Sequence, residues 1–259
     1  MAIENGDFVR LNFTGKIKET DEIFDTTFED VANEAGILVE NKTYGPIPII
    51  VGGNHLLKAI EDAIVGAEVG DEVHVSVTPE NGFGQRDTSL IQLIPMKEFK
   101  KQGINPVRGM QISSEAGNGK ILSVNGGRVK VDFNHELAGK NLEYDVTVVE
   151  NIESDEDKVK SMIELHYSYP NLDLDKTEIS IDGDTLRIKL DEITRFDQQS
   201  YMDVTFARFR ISKDIWDHMG FEKVEFVDAF EKRVEEPAED EEAEEKSYSS
   251  FFLLFLNSI

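Results

Sequence analysis

An α+β fold is predicted by three features of the sequence. Apolar and polar residues alternate in several short runs beginning at Phe8. A single stretch, Leu56, Leu57, Ile60 and Ile64, has helical spacing instead. Hairpin signals then cluster in two places, "EAGNGK" with "NGG" in mid-chain and Asp182-Gly183 later. Together these predict an antiparallel sheet with one helix laid across it, a small β-rich unit inserted into that sheet, and a separate α+β unit towards the C-terminus.

The elements follow in order. "FVRLNF", Phe8 to Phe13, alternates as a half-buried strand does, and "GKIKETDEIFDTT" reads as strand, turn, strand. Residues 29–44 read as a loop with a helical turn. "PIPIIVGG" is a short apolar strand ending in Gly52-Gly53, after which Asn54 is placed to cap the helix that Gly66 stops. "DEVHVSV" is a strand with Val73, Val75 and Val77 on one face. A closing partner for this sheet first arrives about fifty residues later, in "KNLEYDVTVVEN" from Lys140, so something interrupts the sheet.

The interruption has a pattern of its own. "IQLIPMKEF" runs from a strand into a helical turn, and "MQISSEAGNGKILSVNGGRVKVDFN" is three short strands joined by turn-rich loops. After the acidic linker "ENIESDED", Val159, Met162, Ile163 and His166 have helical spacing. "TEISIDGDTLRIKLD" is a hairpin, the stretch from Tyr201 to Met219 reads as helix with a strand alternative for "DVTFARFRI", and "EKVEFVDAFEKRV" is a last strand.

Composition narrows the function. The 259 residues suit two or three domains. There are 27 Lys and Arg against 52 Asp and Glu, a net charge of -25, which repels phosphate backbones and argues against a nucleic-acid partner. There is no cysteine, hence no disulfide framework. No apolar run approaches the ~20 residues of a membrane span, and the N-terminus has no secretory pattern; no membrane contact is expected and the cytoplasm is the expected location. Eight of the eleven residues from Glu235 to Glu245 are acidic, so residues 235–259 read as a disordered acidic tail.

Conventional catalytic constellations are missing. His55, His74, His135, His166 and His218 are scattered along the chain without metal-ligand spacing, and "VGGNH" lacks the frame of a phosphate loop. What stands out is apolar and aromatic: Phe13, Phe24, Ile47, Leu56, Leu57, Ile60 and Phe83 near strand and helix ends. On composition alone these are core residues and Asp25 a turn residue.

The order of motifs adds more. "GDFVRLNFTGKIKETDEIFDTT", "VGGNHLLKAIEDAIVGAEVGDEVHVSVTPENGFGQ" and "LEYDVTVV" together resemble the FKBP-type peptidyl-prolyl isomerases. The insertion after "GFGQRD", leaving through "VDFNHELAGKNL", resembles the SlyD-like branch, in which an inserted chaperone domain replaces the flap over the active site. The additional C-terminal region and the absence of a His-rich tail are similar to long archaeal members. The resemblance implies an FKBP-type half-barrel sheet with one helix, from residues 1–84 plus 135–152, an inserted flap domain at 85–134, a C-terminal α+β domain at 154–234 and the tail at 235–259.

It also implies a pocket, with Asp25, Phe24 and Phe83 in catalytic roles and Phe13, Ile47, Leu56, Leu57, Ile60 and Tyr144 binding substrate. Phe13 carries no hydroxyl, Tyr is usual at Phe83, and Trp often stands where Ile60 does, so the pocket is expected to be wide. An X–Pro bond isomerises slowly because rotation breaks amide resonance, a barrier of ~20 kcal/mol. The twisted amide is less polar than the planar one and a dry aromatic pocket favours it, so neither metal nor cofactor is expected. The Leu57 N–H is expected to meet a substrate carbonyl, and Asp25 either faces the polarised amide or orders its neighbours. The implied partners are unfolded or proline-containing polypeptides. Residues 154–234 have few strands for independent burial and leave an edge strand, which predicts a homodimer contact there. Two functions are open: an isomerase combined with a holdase-type chaperone, or a binding module that uses the scaffold with little isomerase activity. On the insert, Ile91, Leu93, Ile94, Met96 and Phe99 are the expected capture surface.

Overall fold

The computed structural model describes residues 1–40, 42–114, 117–167, 172–196 and 201–230. The acidic tail at 235–259 and the end of 154–234 lie outside the described residues. Residues 1–226 form one compact unit.

The first sheet is antiparallel throughout. Strand β1 (Phe8–Ile17) is flanked on one side by β9 (Leu142–Ile152) along its whole length. On the other side, β3 (Ile47–Ile50) pairs with its first half and β2 (Ile23–Thr26) with its second. Strand β4 (Glu72–Val77) completes the sheet on the far side of β9. Alternation along β1 places Val9, Leu11, Phe13 and Ile17 in the core beneath helix α2 (Lys58–Ile64), whose Ile60 and Ile64 are buried there. A short helix α1 (Glu29–Glu34) forms the turn foreseen between β2 and β3.

One expected detail is different. Asn54 does not cap α2; it takes a left-handed conformation with φ 61°, and α2 starts later, with Leu57 at its N-cap. The loop's donors are met from the helix instead. The buried carboxylate of Glu61 accepts hydrogen bonds from Asn54 N at 3.1 Å and Leu56 N at 2.9 Å. A carboxylate reaching back to two backbone N–H groups replaces the side-chain cap.

Between β4 and β9 stands the second sheet, in the order β5 (Ile91–Pro95), β8 (Arg128–Asp132), β7 (Gly117–Asn125), β6 (Gln111–Ser114). Gly126 and Gly127, at φ 56° and 74°, close the β7–β8 hairpin, the backbone that a two-residue primed turn requires. Helix α3 (Met96–Lys101) covers a small core of Phe99, Ile121, Val129 and Val131, against which Ile94 and Met96 pack. Three of the five residues expected to capture clients therefore serve the insert's own core. Leu93 stays 59% exposed, joined by Val107 and Leu90.

The third part contains helix α4 (Asp155–His166), capped by the Ser154 hydroxyl accepting from Asp157 N at 3.1 Å. A hairpin of β10 (Glu178–Asp182) and β11 (Thr185–Lys189) follows. The long helix α5 (Tyr201–Met219) then returns the chain to β12 (Lys223–Phe226), parallel to β11. The stretch "DVTFARFRI" is helical, with Val204, Ala207, Ile211 and Ile215 on the face turned to the core. That core is shared. Phe8, Ile50 and Ile152 of the first sheet join Val159, Met162, Ile163, Leu186, Ile211 and Ile215 in one buried cluster. Arg10 on β1 adds a bidentate pair to Glu164 on α4, at 2.7 and 3.1 Å.

Candidate functional site

Strands β1, β2 and β9 assemble an aromatic floor. Phe24 meets Tyr144 edge to face, ring centroids 5.6 Å apart at 87°, and Phe13 tilts against Tyr144 at 6.2 Å. Both geometries set positive ring edges against negative ring faces. The pairing depends on Gly15, which faces Asp25 across one ladder and Tyr144 across the other. A Cβ at Gly15 would lie 2.8 Å from Phe24 Cζ and 2.8 Å from Tyr144 Cε1. Within "GDFVRLNFTGKIKETDEIFDTT" nothing local marks this glycine as special.

Ile47, Leu56, Leu57 and Phe83 pack partly buried against the same cluster, and Ile60 is fully inside it. The expected apolar site residues thus all belong to, or pack against, one hydrophobic cluster. Phe83 has a partner that sequence did not suggest: His135 stacks on it, centroids 4.3 Å apart and planes within 6°. His135 Nδ1 accepts from Leu137 N at 3.2 Å, which leaves Nε2 as the imidazole's donor.

Asp25 stands at the rim. Its carboxylate is 46% exposed and pairs with Lys42 at 3.2 Å, a separation at which an exposed ion pair adds little stability. Tyr144 is pushed up to about 12, first by burial and then by the nearby negative charge of Asp25. Its phenol therefore keeps its proton throughout the neutral range, as a hydrogen-bond donor must. The Leu56 N–H is engaged by Glu61, whereas the Leu57 N–H makes no hydrogen bond among the described residues.

A cleft of about 810 Å³ lies elsewhere. It lies beside β6 and β7, lined by Arg86, Lys120 and Asp132 together with Ile112, Leu122 and Phe133. With charges of both signs at Arg86, Lys120 and Asp132, that cleft offers a twisted amide no advantage over a planar one, so the aromatic floor is the better chemical candidate. The junction between insert and host borders that cleft and is tightly tied. Arg86 pairs with the buried carboxylate of Asp132, whose Oδ1 accepts from Asn134 N and Nδ2, while Asn134 exchanges hydrogen bonds with the Asp87 backbone at 2.8 and 2.9 Å.

An interrupted antiparallel half-barrel with one helix over an aromatic floor defines a proline isomerase of the FKBP class. The comparisons agree: the chain belongs to the FKBP-type peptidyl-prolyl cis-trans isomerases, in their SlyD-like form. It is 41% identical over 147 residues to the short-type peptidyl-prolyl cis-trans isomerase of Methanocaldococcus jannaschii, which covers 56% of this chain and 92% of that protein. To the FKBP-type peptidyl-prolyl cis-trans isomerase SlyD of Escherichia coli strain K12 it is 35% identical over 135 residues, 50% of this chain and 68% of that one. Family models described as "FKBP26, IF domain" and "FKBP26_C-terminal" match residues 92–137 and 155–231. Among the described residues no helix is long and apolar enough to cross a membrane.

Proposed function

We propose that the chain isomerises X–Pro bonds on the floor formed by Phe13, Phe24, Tyr144 and Phe83, and holds unfolded polypeptide on its insert while it does so. The edge-to-face Phe24–Tyr144 pair built over Gly15, with Asp25 at its rim, is the observation that carries the first half. Prolyl substrate enters against these rings and leaves its amide solvation behind, so the form with broken resonance gains relative to the planar one. The Leu57 N–H donates to the carbonyl of the bound segment, and the Asp25 carboxylate faces the polarised amide. Ile47, Leu56 and Ile60 wall the proline ring. Reaction by this route needs no nucleophile.

The test is a protease-coupled assay on a short proline peptide. Asp25→Leu and Phe83→Leu should each lower kcat/KM ten-fold or more, about 1.4 kcal/mol of transition-state stabilisation, with circular dichroism unchanged. Full activity in both variants would assign the floor a packing role and favour the second reading, a binding module on an isomerase scaffold.

Proteins in the course of folding, in the cytoplasm, are the proposed clients. Leu93, Val107 and Leu90, exposed on the insert, supply the capture surface. A homodimer through α5 is proposed as well. Met202, Phe206, Phe209 and Trp216 form an exposed stripe opposite its buried face. An apolar, self-complementary contact suits a two-fold pair of chains that each carry a net charge of -25. The chain should elute as a dimer in light-scattering chromatography and Phe209→Glu with Trp216→Glu as a monomer; a monomeric parent refutes the contact. Truncation near residue 151 is a poorer test, because Phe8 and Ile50 would lose their cover.

A further inference from the structure

The histidines that look scattered along the sequence are not scattered in space. His55 from the loop before α2, His166 from the last turn of α4 and Asp214 from α5 converge, their ligand atoms all within 4.8 Å of one another. His166 Nε2 lies 2.5 Å from Asp214 Oδ2, and His55 Nε2 lies 3.6 Å from the same oxygen. Their side chains are only 8% (His55), 13% (His166) and 10% (Asp214) exposed. His55 Nε2 is buried without a hydrogen-bond partner. A buried imidazole nitrogen left unpaired is destabilising, and here that nitrogen lies near an oxygen already taken by a second imidazole.

We propose that His55, His166 and Asp214 bind a divalent transition-metal ion of the Zn²⁺, Co²⁺ or Ni²⁺ class. Metal–ligand distances near 2.0–2.2 Å in a tetrahedral arrangement separate the ligand atoms by about 3.3–3.5 Å. The His55–Asp214 separation of 3.6 Å is already close to this edge. His166 and Asp214 have to part by about 0.8 Å relative to their present hydrogen bond, within reach of side-chain torsions. Two imidazoles and one carboxylate suit borderline ions, whereas Mg²⁺ and Ca²⁺ call for more oxygen.

The surroundings hold His55 ready. Glu61 fixes the backbone on both sides of it, through Asn54 N and Leu56 N. Gly53 clears the space for its ring, since a Cβ there would stand 2.7 Å from His55 Nε2. An ion at this place fastens the residue next to Leu56 and Leu57 of the pocket to α4 and α5. The proposal rests on this geometry alone and stands or falls separately from the isomerase reading.

The full chain, stripped with EDTA, is titrated with Zn²⁺ and with Co²⁺. One ion per chain is expected, with visible d–d bands for Co²⁺ and a Tm raised by about 5–10 °C at a hundred-fold excess over Kd. His55→Gln and Asp214→Asn should each weaken Zn²⁺ at least ten-fold and abolish the Co²⁺ bands, while His74→Gln, an exposed histidine on β4, leaves both unchanged. Equal binding in all variants, or no stoichiometric binding in the parent, overturns the proposal. Should the variants fail to fold, zinc-edge X-ray absorption on the parent chain decides: two imidazole ligands support the site, and an all-oxygen shell refutes it.

Discussion

Replacing residues 85–134 by a short loop is expected to leave turnover of a short proline peptide within a few-fold, and to slow catalysis of proline-limited protein refolding about ten-fold or more. Phe13, Phe24, Asp25, Ile60 and Tyr144 all belong to elements outside the replaced stretch. Phe83 and its stacking partner His135 stand just beyond its two ends, so the cut spares the floor. A protein client is different. Tethering a second binding surface beside the pocket raises the local concentration of chain there, to about millimolar for a short linker, and that gain disappears with the insert. Suppression of aggregation should vanish in the same variant. Refolding catalysis that survives the replacement undiminished would refute the holdase half of the proposal. Leu93→Ser with Val107→Ser, both on exposed positions, should reproduce part of the loss without removing the sheet.

Gly15→Val is expected to abolish most isomerase activity, by ten-fold at least, from a position that no substrate need touch. Its Cβ would meet two rings at 2.8 Å from opposite sides. Neither ring can retreat easily, since Tyr144 is buried against Phe13 and Phe24 is held by Tyr144. Overpacking of this kind costs about 1–3 kcal/mol of stability. Denaturant unfolding should register that loss while the native state stays populated, and the peptide assay should register a further deficit in kcat. A variant that is destabilised yet fully active would show that the Phe24–Tyr144 geometry does not matter to the reaction.

Strands and hairpins were legible because their signals are local: the alternation in "FVRLNF", the paired glycines after Asn125, the valines of "DEVHVSV". The aromatic floor was legible only through motif order, since Phe13, Phe24 and Tyr144 look like any core residues until β1, β2 and β9 are paired. Asn54 read as a cap because its residue type suits one, and nothing local reveals that Glu61 already supplies the loop's acceptor. Ile94, Met96 and Phe99 went to the insert's interior because a four-stranded sheet this small needs its few large side chains for itself. His55, His166 and Asp214 were the least legible. His55 stands more than a hundred residues before His166, and Asp214 a further 48 on; they meet only because α4 and α5 pack on the back of the first sheet, through Phe8 and Ile50.

Strand β9 lies between β1 and β4 and pairs with both. It is also the last strand of its sheet to leave the ribosome, after every residue of the insert has emerged. A chain made at about 5–20 residues per second therefore spends about 1–4 seconds with the inserted sheet complete and its host still open. The local hairpins of the insert can form in that interval, whereas the β1–β9 ladder spans most of the first 150 residues and closes late. The module proposed to guard unfolded chain is thus in place before the enzyme it serves, and the first unfolded chain within its reach is its own N-terminal half.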